Sequence, residues 1–130
     1  MRILRLRKKR LPMIIAVIEL VPQIQKRQAM LEVLRFVAER VKAKPECLDC
    51  GVYDAADGSQ RVVYEEQWRS AKDLHAHIQS GLYSKILNAM ELACEEPRIS
   101  FHEVSQTKSM ELITQLRSQQ HEHATEPWKN

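Results

Sequence analysis

Nothing in this chain approaches the roughly 20 consecutive apolar residues that a membrane span requires. The apolar stretch at 11–18 is cut by Glu19, and no small-residue cleavage site follows it. A basic start running into an apolar segment therefore imitates a secretory leader without completing one. Cysteine is scarce and odd in number, at three. Without a leader, that usage points to free thiols in a reducing compartment, the cytoplasm. Aromatic residues make up only 5% of the chain, and none is interleaved with the basic cluster MRILRLRKKR. The stacking platform of a single-strand nucleic-acid binder is missing there. Residues 1–12 accordingly read as a solvated, disordered arm, with no nucleic-acid or membrane partner expected. A tether to nucleic acid or acidic lipid is the alternative use of such a cluster. Met13 opens the first ordered element and is a candidate natural start.

What is present suffices for one compact domain. The chain has 130 residues, 44% of them apolar, enough for a single core and too little for two ordinary ones. Its net charge is +3, yet the arm alone holds six basic side chains. Residues 11–130 carry 14 basic against 17 acidic, a net of −3. The basicity belongs to the arm.

Residues 12–20, rich in Ile and Val, read as a strand. Pro22 suits a first helical position, and Ile24, Met30, Leu31, Leu34, Ala38 and Val41 recur at helical spacing until Lys44-Pro45 ends the run. Strands at 47–53 and 61–68 flank a turn carrying Asp57-Gly58, a hairpin signal, and should pair antiparallel. Ser70, with Asp73 three residues on, offers a capping box and opens a helix. That helix breaks near Ser80-Gly81, resumes through Leu82, Ile86, Met90 and Ala93, and stops before Pro97. A last strand spans 98–104. A peripheral helix at 107–120 carries Met110, Ile113 and Leu116 on one side, and the polar tail with His121 and His123 reads as frayed.

This order predicts an α+β, ferredoxin-like βαββαβ unit over 13–105, an antiparallel sheet with helices on one face, followed by a C-terminal helix and tail over 106–130. The open sheet face should be polar. In the first strand it is not: Ile14, Ala16, Ile18 and Leu20 fill one face, and Ile15 and Val17 the other. Exposed apolar sheet surface of that kind is rare on a monomer, so a homodimer through the sheet face is expected. Cover by the C-terminal helix is the alternative.

Cys47 and Cys50 form a Cys-x-x-Cys, but within an extended run and not at a helix N-terminus, where redox pairs gain their reactivity. Residues three apart on a regular strand point to opposite faces. The pair is therefore expected to diverge as small buried strand residues, and no metal site is expected.

The run YEEQWRSAKDLHAHIQSGLYSKILNAM, followed by RISFHEV, resembles the antibiotic biosynthesis monooxygenase family, small dimeric α/β-barrel proteins that include quinol monooxygenases. Three features carry the resemblance: Glu66-Gln67-Trp68 ending the third strand, the helix opened by Ser70, and His77 nine residues beyond the tryptophan. It covers roughly 13–104 and is sharpest between Tyr64 and Met90.

The resemblance implies oxygenation with no metal or organic cofactor, on a small quinol or polyketide-like aromatic that itself reduces O₂. A base must then take a phenolic proton in a site that excludes water, and an imidazole suits the task near neutrality. On this account His77 and Trp68 are the catalytic candidates. His77 would be the base, while Trp68 offers its indole N–H to a substrate oxygen and its ring to an aromatic substrate. Tyr64, Glu66, Tyr83 and Phe101 are candidate substrate-binding residues. Periodicity alone does not select His77: with Ala71, Leu74 and Ile78 as the buried stripe, His75 and His77 flank it symmetrically. A plain surface or dimer-seam histidine, and a core tryptophan, are the competing readings. The superfamily's haem-degrading members need a tryptophan where His77 stands and a histidine where Leu87 stands, so that constellation is missing. A non-catalytic dimeric module binding a small apolar ligand is the alternative of a different class.

Overall fold

A computed structural model describes residues 11–120; the arm at 1–10 and the histidine-bearing tail after 120 lie outside the described residues. The elements run β1 (Met13–Leu20), a 3₁₀ turn (Ile24–Lys26), α1 (Arg27–Lys42), β2 (Cys47–Asp54), β3 (Val62–Trp68), α2 (Ala71–Ile78), α3 (Tyr83–Met90), β4 (Arg98–Val104) and α4 (Met110–Gln120). The four strands form one antiparallel sheet in the order β2-β3-β1-β4. That is the ferredoxin-like α+β arrangement the sequence predicts. No described helix is long and apolar enough to cross a membrane.

Alternation sets the layers. Ile14, Ala16, Ile18 and Leu20 of β1 and Val62, Tyr64, Glu66 and Trp68 of β3 all point to the helix side and are buried. They meet Met30, Leu34, Val37 and Val41 of α1 and Ile86 and Ala89 of α3 in one core. The hairpin between β2 and β3 closes where Gly58 takes φ +78°, a left-handed conformation glycine adopts without steric cost. Asp57 supports the turn by accepting the Ser59 backbone N–H at 3.0 Å.

Two local expectations are corrected and one alternative is set aside. Pro22 does not open α1: it bridges Ala93, with the Gln23 N–H donated to the Leu92 carbonyl and the Cys94 N–H to Val21. These bonds hold 21–23 extended, so the α-helix begins at Arg27 and Ile24 is left 93% exposed. Second, the strand register shifts between Cys47 and Asp49. With Leu48 as the extra residue of a β-bulge, Cys47 stands opposite Trp68 and Cys50 opposite Glu66, so both cysteines share the helix-side face. Third, α4 leaves Leu112, Ile113 and Leu116 exposed, so it does not bury its apolar side as a cover for the sheet.

Candidate functional site

The site is built on β3. Residues i, i+2 and i+4 of a strand share a face, so Tyr64, Glu66 and Trp68 stand in a row toward the helices. Trp68 ends the strand, and two residues later Ser70 caps α2, its Oγ accepting the Asp73 N–H at 3.3 Å. That cap fixes where the helix starts and turns His77 back over β3. At the far end the Ser80 hydroxyl donates to the His77 carbonyl at 2.6 Å, pinning the last turn.

The structure resolves the ambiguity between the two α2 histidines. His77 is 2% exposed and His75 is on the surface. The buried stripe is Leu74 and His77, while Ile78, expected inside, is on the exposed side. The helix ends at Ile78, so its last inward position falls three residues after Leu74 instead of four.

Glu66 is the hub, and it is 1% exposed. A buried carboxylate is tolerable only with donors around it, and three converge on it. The Trp68 indole N–H donates to Oε1 at 2.8 Å, and the Tyr64 hydroxyl donates to Oε2 at 2.6 Å. His77 Nε2 lies 2.8 Å from the same Oε2. The Cys50 thiol extends the chain by donating to the Tyr64 oxygen at 3.4 Å. The imidazole ring lies between two aromatic rings, 4.8 Å from Trp68 and edge-on to Tyr83 at 5.3 Å between centroids.

These contacts assign the imidazole's protons. An ionised carboxylate only accepts, so facing one Nε2 carries a hydrogen, and whenever the ring is neutral Nδ1 carries the lone pair. Nδ1 is buried and has no hydrogen-bond partner. Most buried polar atoms are paired, so the unpartnered Nδ1 stands out within this network. Burial pushes Cys50 up to about 12 and raises Cys47, Tyr64 and Tyr83, with the Glu66 charge adding to each rise. All four remain protonated at neutral pH, so Cys50 and Tyr64 act as donors in the network.

Five of the six residues singled out from sequence, Tyr64, Glu66, Trp68, His77 and Tyr83, come together here. Two have their polar groups already committed: the Trp68 N–H and the Tyr64 hydroxyl both hold Glu66 rather than standing free for a substrate oxygen. Phe101 stands apart. It lies on the same sheet face, in the cross-strand row Cys50, Glu66, Ala16, Phe101, but on the edge strand two places from Glu66 and 49% exposed. Cys50, expected only as a small buried strand residue, joins the network through Tyr64, and the bulge at Leu48 brings Cys47 onto the same face. The central place of Glu66 did carry a signal: a lone charge in an otherwise apolar alternation of Val62, Tyr64 and Trp68.

Comparison with known proteins agrees with this architecture. Residues 13–89 match the family model described as antibiotic biosynthesis monooxygenase. Among solved structures, a conserved protein from Methanosarcina mazei Go1 is similar at 21% identity and a TM-score of 0.67, over 73% of this chain and 95% of that one. A candidate antibiotic biosynthesis monooxygenase from Nitrosomonas europaea aligns at 17% identity and a TM-score of 0.67, over 79% and 100%. Another candidate of that description, from Caulobacter crescentus CB15, aligns at 22% identity and 0.66, over 75% and 93%. At such identities the likeness is one of fold. No functionally curated protein sequence matches the chain.

Proposed function

The chain belongs to the antibiotic biosynthesis monooxygenase family, and we propose that it is a cofactor-independent monooxygenase of small quinols or polyketide-like aromatics, with His77 as its base. The observation that carries this reading is the orphaned Nδ1 of His77, on the opposite side of the ring from the Nε2 that faces Glu66. A phenol O–H placed against Nδ1 gives up its proton, and the resulting anion passes an electron to O₂. Carbon–oxygen bond formation follows; one oxygen atom stays in the product and the other leaves as water, with the substrate supplying both electrons.

The surroundings favour that sequence. Glu66 stabilises the imidazolium as it forms, and the low exposure of both partners keeps bulk water from the reactive anion. Trp68 orients the carboxylate through its N–H and stacks on the imidazole. Tyr83 is the least buried of the rings around His77 and sits in the first turn of α3, just past the Gly81 turn. On this reading an aromatic substrate would approach from that side.

The working unit is a cytoplasmic homodimer joined through the open sheet face. Met13, Ile15 and Val17 of β1 and Val63 of β3 line that face and are only half-buried. An apolar strip of this kind supports a second copy of the chain. Val17→Asp sets a charge in the strip and is expected to give monomers by light scattering; a dimer that persists unchanged would remove this face.

The chemical reading is tested by dissolved-oxygen uptake with small quinols, naphthoquinols and anthrone-like aromatics, in the presence of a metal chelator. His77→Ala, checked for a native fold, is expected to lower uptake at least about 100-fold, the usual span of general-base catalysis. An unchanged rate removes His77 from the mechanism. No uptake with any compound favours instead a dimeric module that binds a small apolar ligand.

A further inference from the structure

We propose that Tyr64 is a positioning residue that restrains the base strength of His77 by occupying the same carboxylate oxygen His77 uses. The geometry behind this is a shared acceptor. Glu66 Oε2 receives the Tyr64 hydroxyl at 2.6 Å and faces His77 Nε2 at 2.8 Å, while Oε1 is taken by Trp68 at 2.8 Å. Tyr64 and Trp68 flank Glu66 on one strand face, so the carboxylate is clasped from both sides and cannot turn a free oxygen toward the imidazole.

Each hydrogen bond to a carboxylate draws off part of its negative charge, and that charge is what stabilises an imidazolium. Tyr64 therefore limits how strongly Glu66 can raise the proton affinity of His77. The Cys50 thiol, donating to the Tyr64 oxygen at 3.4 Å, polarises the hydroxyl and strengthens its hold on Oε2. The phenol keeps its proton in this buried place, so it acts only as donor to Glu66.

Among the described residues, no cation forms an ion pair with Glu66 other than His77 itself. The groups that feel the Glu66 charge are Tyr64 on β3, Cys47 and Cys50 on β2, and Tyr83 on α3. β1 presents Ile14, Ala16 and Ile18 to the same side, and the buried face of α1 is apolar. On α2 itself, His75 is on the surface, while Lys72 is exposed and Asp73 is engaged with Arg69 and Ser70 at the opposite end of the helix.

The importance of this restraint for catalysis rests on His77 being the base; the restraint itself does not, and its test needs no substrate. The imidazole of His77 is titrated by ¹⁵N–¹H NMR in the full chain and in Tyr64→Phe. The expected result is a midpoint raised by about one pH unit, with the Nε2–H tautomer kept above it. Cys50→Ala should move the midpoint the same way by less, and it serves alone if Tyr64→Phe does not fold. A midpoint that stays put or falls in the folded variants overturns the proposal. Loss of packing alone would not raise one imidazole's midpoint while preserving its tautomer. Where oxygen uptake is found, the acid limb of kcat/KM in Tyr64→Phe should shift upward by the same amount as the NMR midpoint.

Discussion

One face of the sheet is divided into two halves with opposite contents. Over β3, α2 and α3 bury a carboxylate, an imidazole and a phenol. Over β4, on the same face, Ile99 and Phe101 are about half exposed, and among the described residues no helix packs closely on them. Ordinary hydrophobic sorting would place these the other way round. The polar half survives inside because its members satisfy one another, and removing any one leaves the others stranded in a dry interior. The apolar half survives outside because β4 is the edge strand away from the helices, which pack on β1, β2 and β3. Burial in this protein follows the placement of helices, and the helices enclose hydrogen-bond chemistry as well as apolar mass.

Removing the hub is the strongest way to break that contrast. Glu66→Ala strips the acceptor from Trp68, Tyr64 and His77 together, and is expected to lower the unfolding free energy by about 3–5 kcal/mol in urea titrations. A loss under about 1 kcal/mol would mean that the buried half is not held by its carboxylate.

A smaller effect is expected at the cap that turns His77 inward. Ser70→Ala should cost about 1 kcal/mol and loosen α2, read as faster amide exchange around 74–78. The same cap gives a pH dependence. Hydrogen bonding from Arg69, then from Ser70, holds the Asp73 carboxyl below the usual carboxylate range. A lowered folded-state pKa means the stabilisation is fully present above the ordinary aspartate value near pH 4 and fades as pH falls below it. Asp73→Asn should flatten thermal stability between about pH 4 and 2 relative to the unaltered protein.

The least effect belongs to the exposed half. Phe101→Ser is expected to change the unfolding free energy by under about 0.5 kcal/mol. A larger loss that grows with protein concentration would show that a second molecule covers β4, and would sharpen the contrast into one that assembly removes.

Much of this was legible in the residues. Alternation in β1 and β3, Asp57-Gly58 in the hairpin and Ser70 at the cap follow local rules of short range, and each element appears where those rules put it. Helical spacing overreached at both ends of the helices it found. It placed Ile24 in α1, because a periodic count does not register that Gln23 is held by Leu92, far along the chain. It placed Ile78 on the buried stripe of α2, whereas the last turn buries His77 and leaves Ile78 36% exposed. The site was only half visible: His77 came from a resemblance, whereas its pairing with Glu66 depends on α2 folding back over β3, a tertiary fact. The shared face of Cys47 and Cys50 was hidden by the bulge at Leu48.

That bulge also governs how the chain should be compared with its relatives. Leu48 acts as a phase shift in the strand's two-residue rhythm: residues on either side of it obey opposite parity. An alignment that runs through β2 without a gap at Leu48, against a relative whose strand is regular, matches inward side chains to outward ones on one flank of the bulge. Apparent conservation or loss of Cys47 would then be an artefact of counting, and the position is best compared by its partner across the sheet, Trp68, rather than by its place in the string.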